Sequence, residues 1–235
     1  MNKIKKIGVL FDLDGVLVDS EGEYSKFWGA TGRKFNVGGD TFADDIKGTT
    51  LGEILTGFNE ADRHGIVAAL HKFEEEMMYP VFPGVMEFLI ALKENGIPSA
   101  IVTSSDDTKM NFLFRRHPEF QDYINEVITG SMVKNSKPDP EGYLLGASKI
   151  GVAPEDCYVF EDSMQGVEAG MRSGSTVIAL ATTNSREKLQ TKSPHYIIDS
   201  FLQLTIDNGL IGFAALFCKE LTYRLCRFAL QRFVS

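Results

Sequence analysis

The chain predicts an α/β fold, a doubly wound parallel sheet interrupted by an inserted helical domain. Three observations lead there. Short apolar runs recur along the chain, each bounded by turn or polar residues. Helical patterns separate most of them. One long stretch after the first run carries helical periodicity but no buried strand.

The apolar runs fall at residues 7–11, 100–102, 126–128, 158–160, 176–180 and 196–198. Their brevity and their Val, Ile and Phe content suit strands buried on both faces. Residues 85–95 (VMEFLIALKEN) read as a helix that begins after Pro83 and stops at Gly96. Residues 138–150 read as another, stopped by Gly151, and 163–172 as a third. Strands alternating with helices imply parallel βαβ units. Residues 19–82 break the alternation, with helical stretches such as 63–78 and joints at Gly38-Gly39 and Gly48. The expected division is an α/β core over 1–18 and 83–205, a helical insert over 19–82 with hinges near Val18-Asp19 and 79–83, and a C-terminal helical extension over 206–235.

Composition narrows the function. Hydrophobic residues make up 43% and charged residues 24%, ordinary for a globular chain. The net charge of −8 opposes nucleic acid as a partner, and any phosphate site needs a local source of positive charge. Three cysteines without a CxxC spacing fit a reducing cytoplasm. The apolar run at 7–11 is too short for a signal peptide, and the run at 210–218 is too short to span a bilayer, so no stable membrane insertion is expected. The amphipathic tail, with Lys219, Glu220, Arg224 and Arg227 on one face, suits packing on the core or a partner subunit, or a membrane surface. The oligomeric state stays open.

In an open parallel sheet, sites form at the carboxyl ends of the strands. Asp12, Asp14 and Gly15 follow the first run; Thr103, Ser104 and Ser105 follow the second; Glu161 and Asp162 follow the fourth. Lys137 lies in a loop before the helix leading to that fourth run. Any one of these acids alone reads equally as a helix cap or turn former. Together they converge on one edge and suit phosphoryl transfer. Carboxylates from two strands suit Mg²⁺ with a substrate phosphate, and a lysine offsets the charge. A carboxylate is a competent nucleophile toward phosphorus. A second one two residues along an extended segment shares its side and can move the proton.

The stretches FDLDGVLVDSE, VTSS, KPDPEGY and VFEDSMQGVEAG, in this order, resemble the four motifs of the haloacid dehalogenase (HAD) superfamily. Within it they are most similar to the β-phosphoglucomutase-like phosphatases and mutases, over residues 5 to about 205. The resemblance implies a Rossmann-like HAD core with the insert as a helical cap. It implies Asp12 as nucleophile and Mg²⁺ ligand, and Asp14 as acid/base with its backbone carbonyl on the metal. It implies Thr103 as the hydroxyl on the transferring phosphate, Lys137 as the balancing cation, and Asp162 with Glu161 as the acidic metal motif. Ser104 and Ser105 join the substrate side, as do Lys47 and Gly48 in a cap loop that dips toward it.

Three positions depart from the mutase pattern. Tyr24 stands in place of a histidine in the first cap helix, Leu51 in place of a cap arginine, and Asp106-Asp107 in place of cationic or amide residues. Carboxylates there would repel a second phosphate. The expected function is therefore a Mg²⁺-dependent phosphatase acting on a small phosphorylated metabolite, either a sugar phosphate-like ester or pyrophosphate, in the cytoplasm. A sugar-phosphate mutase is the alternative. A signalling receiver domain is shorter and lacks the insert, and a dead scaffold would not need the full motif set. Trp28 and Phe27 are expected in the cap core, and His64, His71, His117 and His195 at the surface or in caps.

Overall fold

The computed structural model describes residues 6–207 and 209–213. Six parallel strands form the main sheet: β1 (Gly8–Phe11), β2 (Ser99–Val102), β3 (Glu126–Ile128), β4 (Cys157–Glu161), β5 (Thr176–Leu180) and β6 (Tyr196–Ile198). Their order is β3-β2-β1-β4-β5-β6, with β1 paired to β2 and β4. Every expected strand is present, with ends that shift by no more than one residue. All four residues of β1 are buried, as a central strand covered on both faces requires.

The helices, in chain order, are α1 (Glu21–Phe35), α2 (Phe42–Asp45), α3 (Leu51–Thr56), α4 (Glu60–Glu76), α5 (Val85–Glu94), α6 (Asp107–Arg116), α7 (Phe120–Tyr123), α8 (Glu141–Ile150), α9 (Met164–Arg172) and α10 (Arg186–Gln190). The helix expected from residue 138 begins only at Glu141, because Pro138 and Pro140 hold the chain in a loop that carries Lys137. Apolar residues fill both faces of the sheet. Phe11, Phe88, Phe160 and Phe201 make an aromatic stack on one side, and Leu10, Val159, Ala147 and Val177 pack on the other.

Helices α1 to α4 carry a core of their own around Trp28, Phe42, Phe58, Ile66 and Leu70, and Phe27 stacks on Phe73 beside it. The two chain segments that join this insert to the sheet lie side by side. Val18 bridges Val81 antiparallel, Asp19 N–H donates to Pro80 O at 2.7 Å, and Phe82 N–H donates to Leu17 O at 3.1 Å.

The C-terminal expectation needs correction. Two strands, β7 (Leu204–Asp207) and β8 (Leu210–Phe213), pair antiparallel where a helix was expected from 206. Asn208-Gly209 between apolar runs is a strong hairpin signal, and Gly209 takes φ 75°. The rest of the extension, from 214, lies outside the described residues. Among the described residues no helix is long and apolar enough to cross a membrane.

Candidate active site

Asp12 follows β1 directly, and its N–H donates to Phe160 O at 3.0 Å, which fixes its backbone against β4. It lines a cavity of about 110 Å³ between the sheet and the helical insert. Lys137 Nζ, from the β3–α8 loop, donates to Asp12 Oδ1 at 2.7 Å, Glu161 Oε1 at 2.6 Å and Val102 O at 3.3 Å. Burial pushes the Asp12 carboxyl above the usual carboxylate range, and Lys137 offsets part of that rise. Burial works against the Lys137 ammonium, yet Asp12 and Glu161 outweigh it and raise its pKa.

Asp162 is buried beside them, and its pKa is driven well up by burial and then by the charges of Glu161 and Asp12. Carboxylate oxygens of Asp12, Glu161 and Asp162 all lie within 4.8 Å of one another. Three buried carboxylates against one lysine leave an excess of negative charge, which a divalent cation would neutralise. The donor set therefore fits Mg²⁺.

Glu161, expected with Asp162 in the acidic metal motif, belongs to this carboxylate group and is also densely hydrogen-bonded. Its Oε1 accepts from Lys137 Nζ and from Tyr143 Oη at 2.8 Å. Its Oε2 accepts from the N–H groups of Asp162 and Ser163 and from Ser163 Oγ, at 2.9–3.0 Å. Both oxygens are in use, so Glu161 orients Lys137 and the start of α9. Gly166 makes this possible, because a Cβ there would lie 1.7 Å from Glu161 Oε1. Gly15 serves Asp162 similarly: φ is 76°, and a Cβ would lie 2.0 Å from Asp162 Oδ2.

Asp14 lines the same cavity. Its Oδ1 accepts from Ser20 Oγ, and its Oδ2 from Lys109 Nζ and from Ser105 Oγ at 3.4 Å. Thr103, after β2, takes the Ser105 N–H on its Oγ1 at 3.1 Å, which leaves its proton for a ligand. Ser104 Oγ donates to Gly48 O at 2.8 Å, a direct tie between core and cap. Lys47 reaches Asp44 at 2.9 Å and Glu21 at 3.7 Å. The cavity thus gathers Asp12, Asp14, Thr103, Ser104, Ser105 and Asp162 with Lys47 and Gly48. Tyr24, Leu51 and Asp106 border it too, whereas Asp107 turns aside to accept from Thr129 Oγ1 at 2.7 Å.

Sequence reasoning missed Lys109, Glu74 and Glu21. Lys109 is buried, pairs with Asp14 and lies over the Tyr24 ring at 4.3 Å. Glu74 accepts from Tyr24 Oη at 2.8 Å, and burial raises its pKa to about 7. Burial also raises Glu21 to about 7. The missed signal is helical period: Ile66, Leu70 and Glu74 share the buried face of α4, as Lys109 and Leu113 share that of α6. His71, expected as a surface or capping residue, is half-buried with Nε2 3.2 Å from Oδ2 of Asp106, which lines the cavity.

Residues 8–174 match the haloacid dehalogenase-like hydrolase family. The chain belongs to that family. This HAD-family hydrolase is 34% identical over 206 residues to hexitol phosphatase A of Escherichia coli, covering 85% of the chain and 93% of that protein. It is 32% identical to the phosphorylated carbohydrates phosphatase of Thermotoga maritima, covering 71% and 81% respectively. It spans only part of some longer relatives from Arabidopsis thaliana, 21% of one and 57% of another. β-Phosphoglucomutase from Clostridium difficile shares the fold at TM-score 0.71 and 23% identity, over 86% of this chain and 94% of that one. The HAD-family hydrolase described here is an enzyme of the phosphoric monoester hydrolase class.

Proposed function

We propose that this enzyme is a Mg²⁺-dependent phosphatase of small sugar phosphate-like esters that works through an aspartyl-phosphate on Asp12. The observation that carries the reading is the placement of Asp12. It is a buried carboxylate lining the cavity, with one oxygen held by Lys137 and with Asp14 two residues away in the same cavity. Relatives named for hexitols and phosphorylated carbohydrates support the substrate class.

The chemistry follows from the side chains. An Asp12 oxygen attacks phosphorus as the bond to the ester oxygen breaks, and Asp14 gives its proton to the departing alcohol. Asp14 then takes a proton from water, which attacks the phosphorus of the acyl phosphate. The Asp12 carboxylate returns and inorganic phosphate leaves. Thr103 donates to a phosphoryl oxygen, Lys137 holds positive charge on the nucleophile, and Glu161 keeps Lys137 in place. Asp12, Asp162 and the backbone carbonyl of Asp14 would hold Mg²⁺. Bound there, the ion supplies Lewis-acid charge to the transferring group. The cap closes the cavity against bulk water.

Pyrophosphate and a mutase substrate each bring a second anionic group. The cavity wall meets it with Glu21, Glu74 and Asp106, while Lys109 is already committed to Asp14 and Lys47 to Asp44 and Glu21. An ester of a neutral alcohol suits that wall better. A small metabolite of this kind, and the free buried thiol of Cys157, suit a cytoplasmic enzyme.

Phosphate release from a panel of sugar phosphates and pyrophosphate tests the reading, with Mg²⁺ or EDTA and with Asp12→Asn. Mg²⁺-dependent release that disappears in Asp12→Asn is the expected result. Release that persists in Asp12→Asn refutes Asp12 as nucleophile.

A further inference from the structure

We propose that Glu74, oriented by Tyr24, reads a hydroxyl on the alcohol portion of the substrate, so that the enzyme selects monophosphates of polyhydroxy compounds. The inference rests on the phosphatase reading and names the residue that sets selectivity within it. Glu74 is 4% exposed on the apolar face of α4. A glutamate is seldom buried so deeply unless it is paired. Tyr24 Oη satisfies its Oε1, but its Oε2 is a buried oxygen with no hydrogen-bond partner among the described residues. Leaving such an acceptor empty is costly, and a ligand donor removes the cost.

The neighbours decide which donor fits. Glu74 borders the cavity that holds Asp12. The Lys109 ammonium, over the Tyr24 ring, acts on the Glu74 carboxylate. A metal cation among His71, Glu74 and Asp106, whose ligand atoms lie within 4.8 Å, would face that fixed positive charge. A second phosphate would face the carboxylates of Glu21, Glu74 and Asp106. A neutral O–H meets neither penalty and donates to Oε2 once the Glu74 carboxylate turns toward the cavity it borders. Leu70 and Trp28 border the same space and suit a carbon chain. A site built to accept a hydroxyl proton rejects an analogue without one far more strongly than an apolar wall sorts by size.

The test compares hydrolysis of a hexitol monophosphate with that of p-nitrophenyl phosphate, which has no free hydroxyl, by the full-length enzyme with Mg²⁺. In Glu74→Met we expect kcat/KM for the hexitol ester to fall roughly 10- to 100-fold, chiefly through KM, with p-nitrophenyl phosphate changed less than about twofold. Glu74→Gln keeps a partner for Tyr24 and is read in the same way if the Met variant does not fold; its loss is smaller but equally selective. Equal losses on both esters, or none on either, overturn the inference while leaving the phosphatase reading intact. So does a hexitol bisphosphate turned over as well as the monophosphate. Wild-type enzyme that hydrolyses neither monoester overturns the phosphatase reading, and the inference with it.

Discussion

Asp12 and Glu74 are buried carboxylates bordering one cavity, and they are held in opposite ways. Asp12 stands at the end of a wholly buried strand, with a lysine on one oxygen and a peptide N–H bonded across to β4. Glu74 rides a helix of the insert, with a phenol on one oxygen and no partner on the other. Burial raises both pKa values. Asp12, the proposed nucleophile, is thus positioned by backbone, through strand ends in fixed register. Glu74 is positioned by side chains, which can change without moving a strand. The two proposed roles, bond-breaking and substrate choice, therefore rest on separable supports.

Substitutions at the core end should break that separation most severely. Asp12→Asn keeps the shape and removes the proposed nucleophile; activity should fall by roughly 10⁴-fold or more, while the melting temperature holds or rises because a carboxylate whose burial is costly is gone. A variant retaining a tenth of wild-type phosphate release would be incompatible with covalent catalysis at Asp12. Lys137→Met leaves Asp12 and Glu161 buried without their cation and should cost about 3–5 kcal/mol in urea unfolding, along with most activity. Gly166→Ala forces a methyl group against Glu161 and should destabilise by about 1–3 kcal/mol, with turnover lost in step as Lys137 shifts.

Cap-side changes should sharpen the contrast by sparing the reaction. The Glu74 carboxyl is held at about 7 in the fold, against 4.5 as its ordinary value. Below the lower value both folded and unfolded chains carry the proton, and Glu74 adds no pH dependence. Between the two values the unfolded chain ionises first, so its contribution to stability falls as pH rises; above about 7 the loss is complete. Melting curves at pH 5 and pH 8 should therefore show Glu74→Gln gaining on wild type at the higher pH. A gap that does not change with pH would remove Glu74 from the account. Ser104→Ala deletes the hydrogen bond to Gly48 O and should have the smallest effect, about 0.5–1.5 kcal/mol, seen as faster proteolysis within the insert.

The same contrast explains what the sequence made legible. Asp12, Thr103 and Asp162 follow short, mostly apolar strands, and in a parallel sheet those strand ends must meet. No such rule places Lys109 or Glu74. Glu74 opens a run of three glutamates that resembles a solvated face, yet Glu75 and Glu76 are exposed while Glu74 turns inward with Ile66 and Leu70. Lys109 looks like an ordinary residue in the first turn of a polar helix, and its burial depends on Asp14 waiting beneath it. Glu161 was legible as part of an acidic pair, but not which of the two acids would have its oxygens consumed by neighbouring N–H and O–H groups. The β7–β8 pair was hidden because an amphipathic reading of the tail took in residues that belong to β8.

The insert leaves the core at Val18 and returns at Val81, and those two residues are bridged neighbours. A chain that departs and comes back at one point is a natural splice site. Joining residue 18 to residue 81 through a short turn would close the sheet's connectivity without stretching a strand, and another helical unit whose ends lie as close together would dock at the same two positions. On the proposed reading, selectivity in this architecture is a replaceable part, exchanged at a single seam while the strand order beneath it stays as it is.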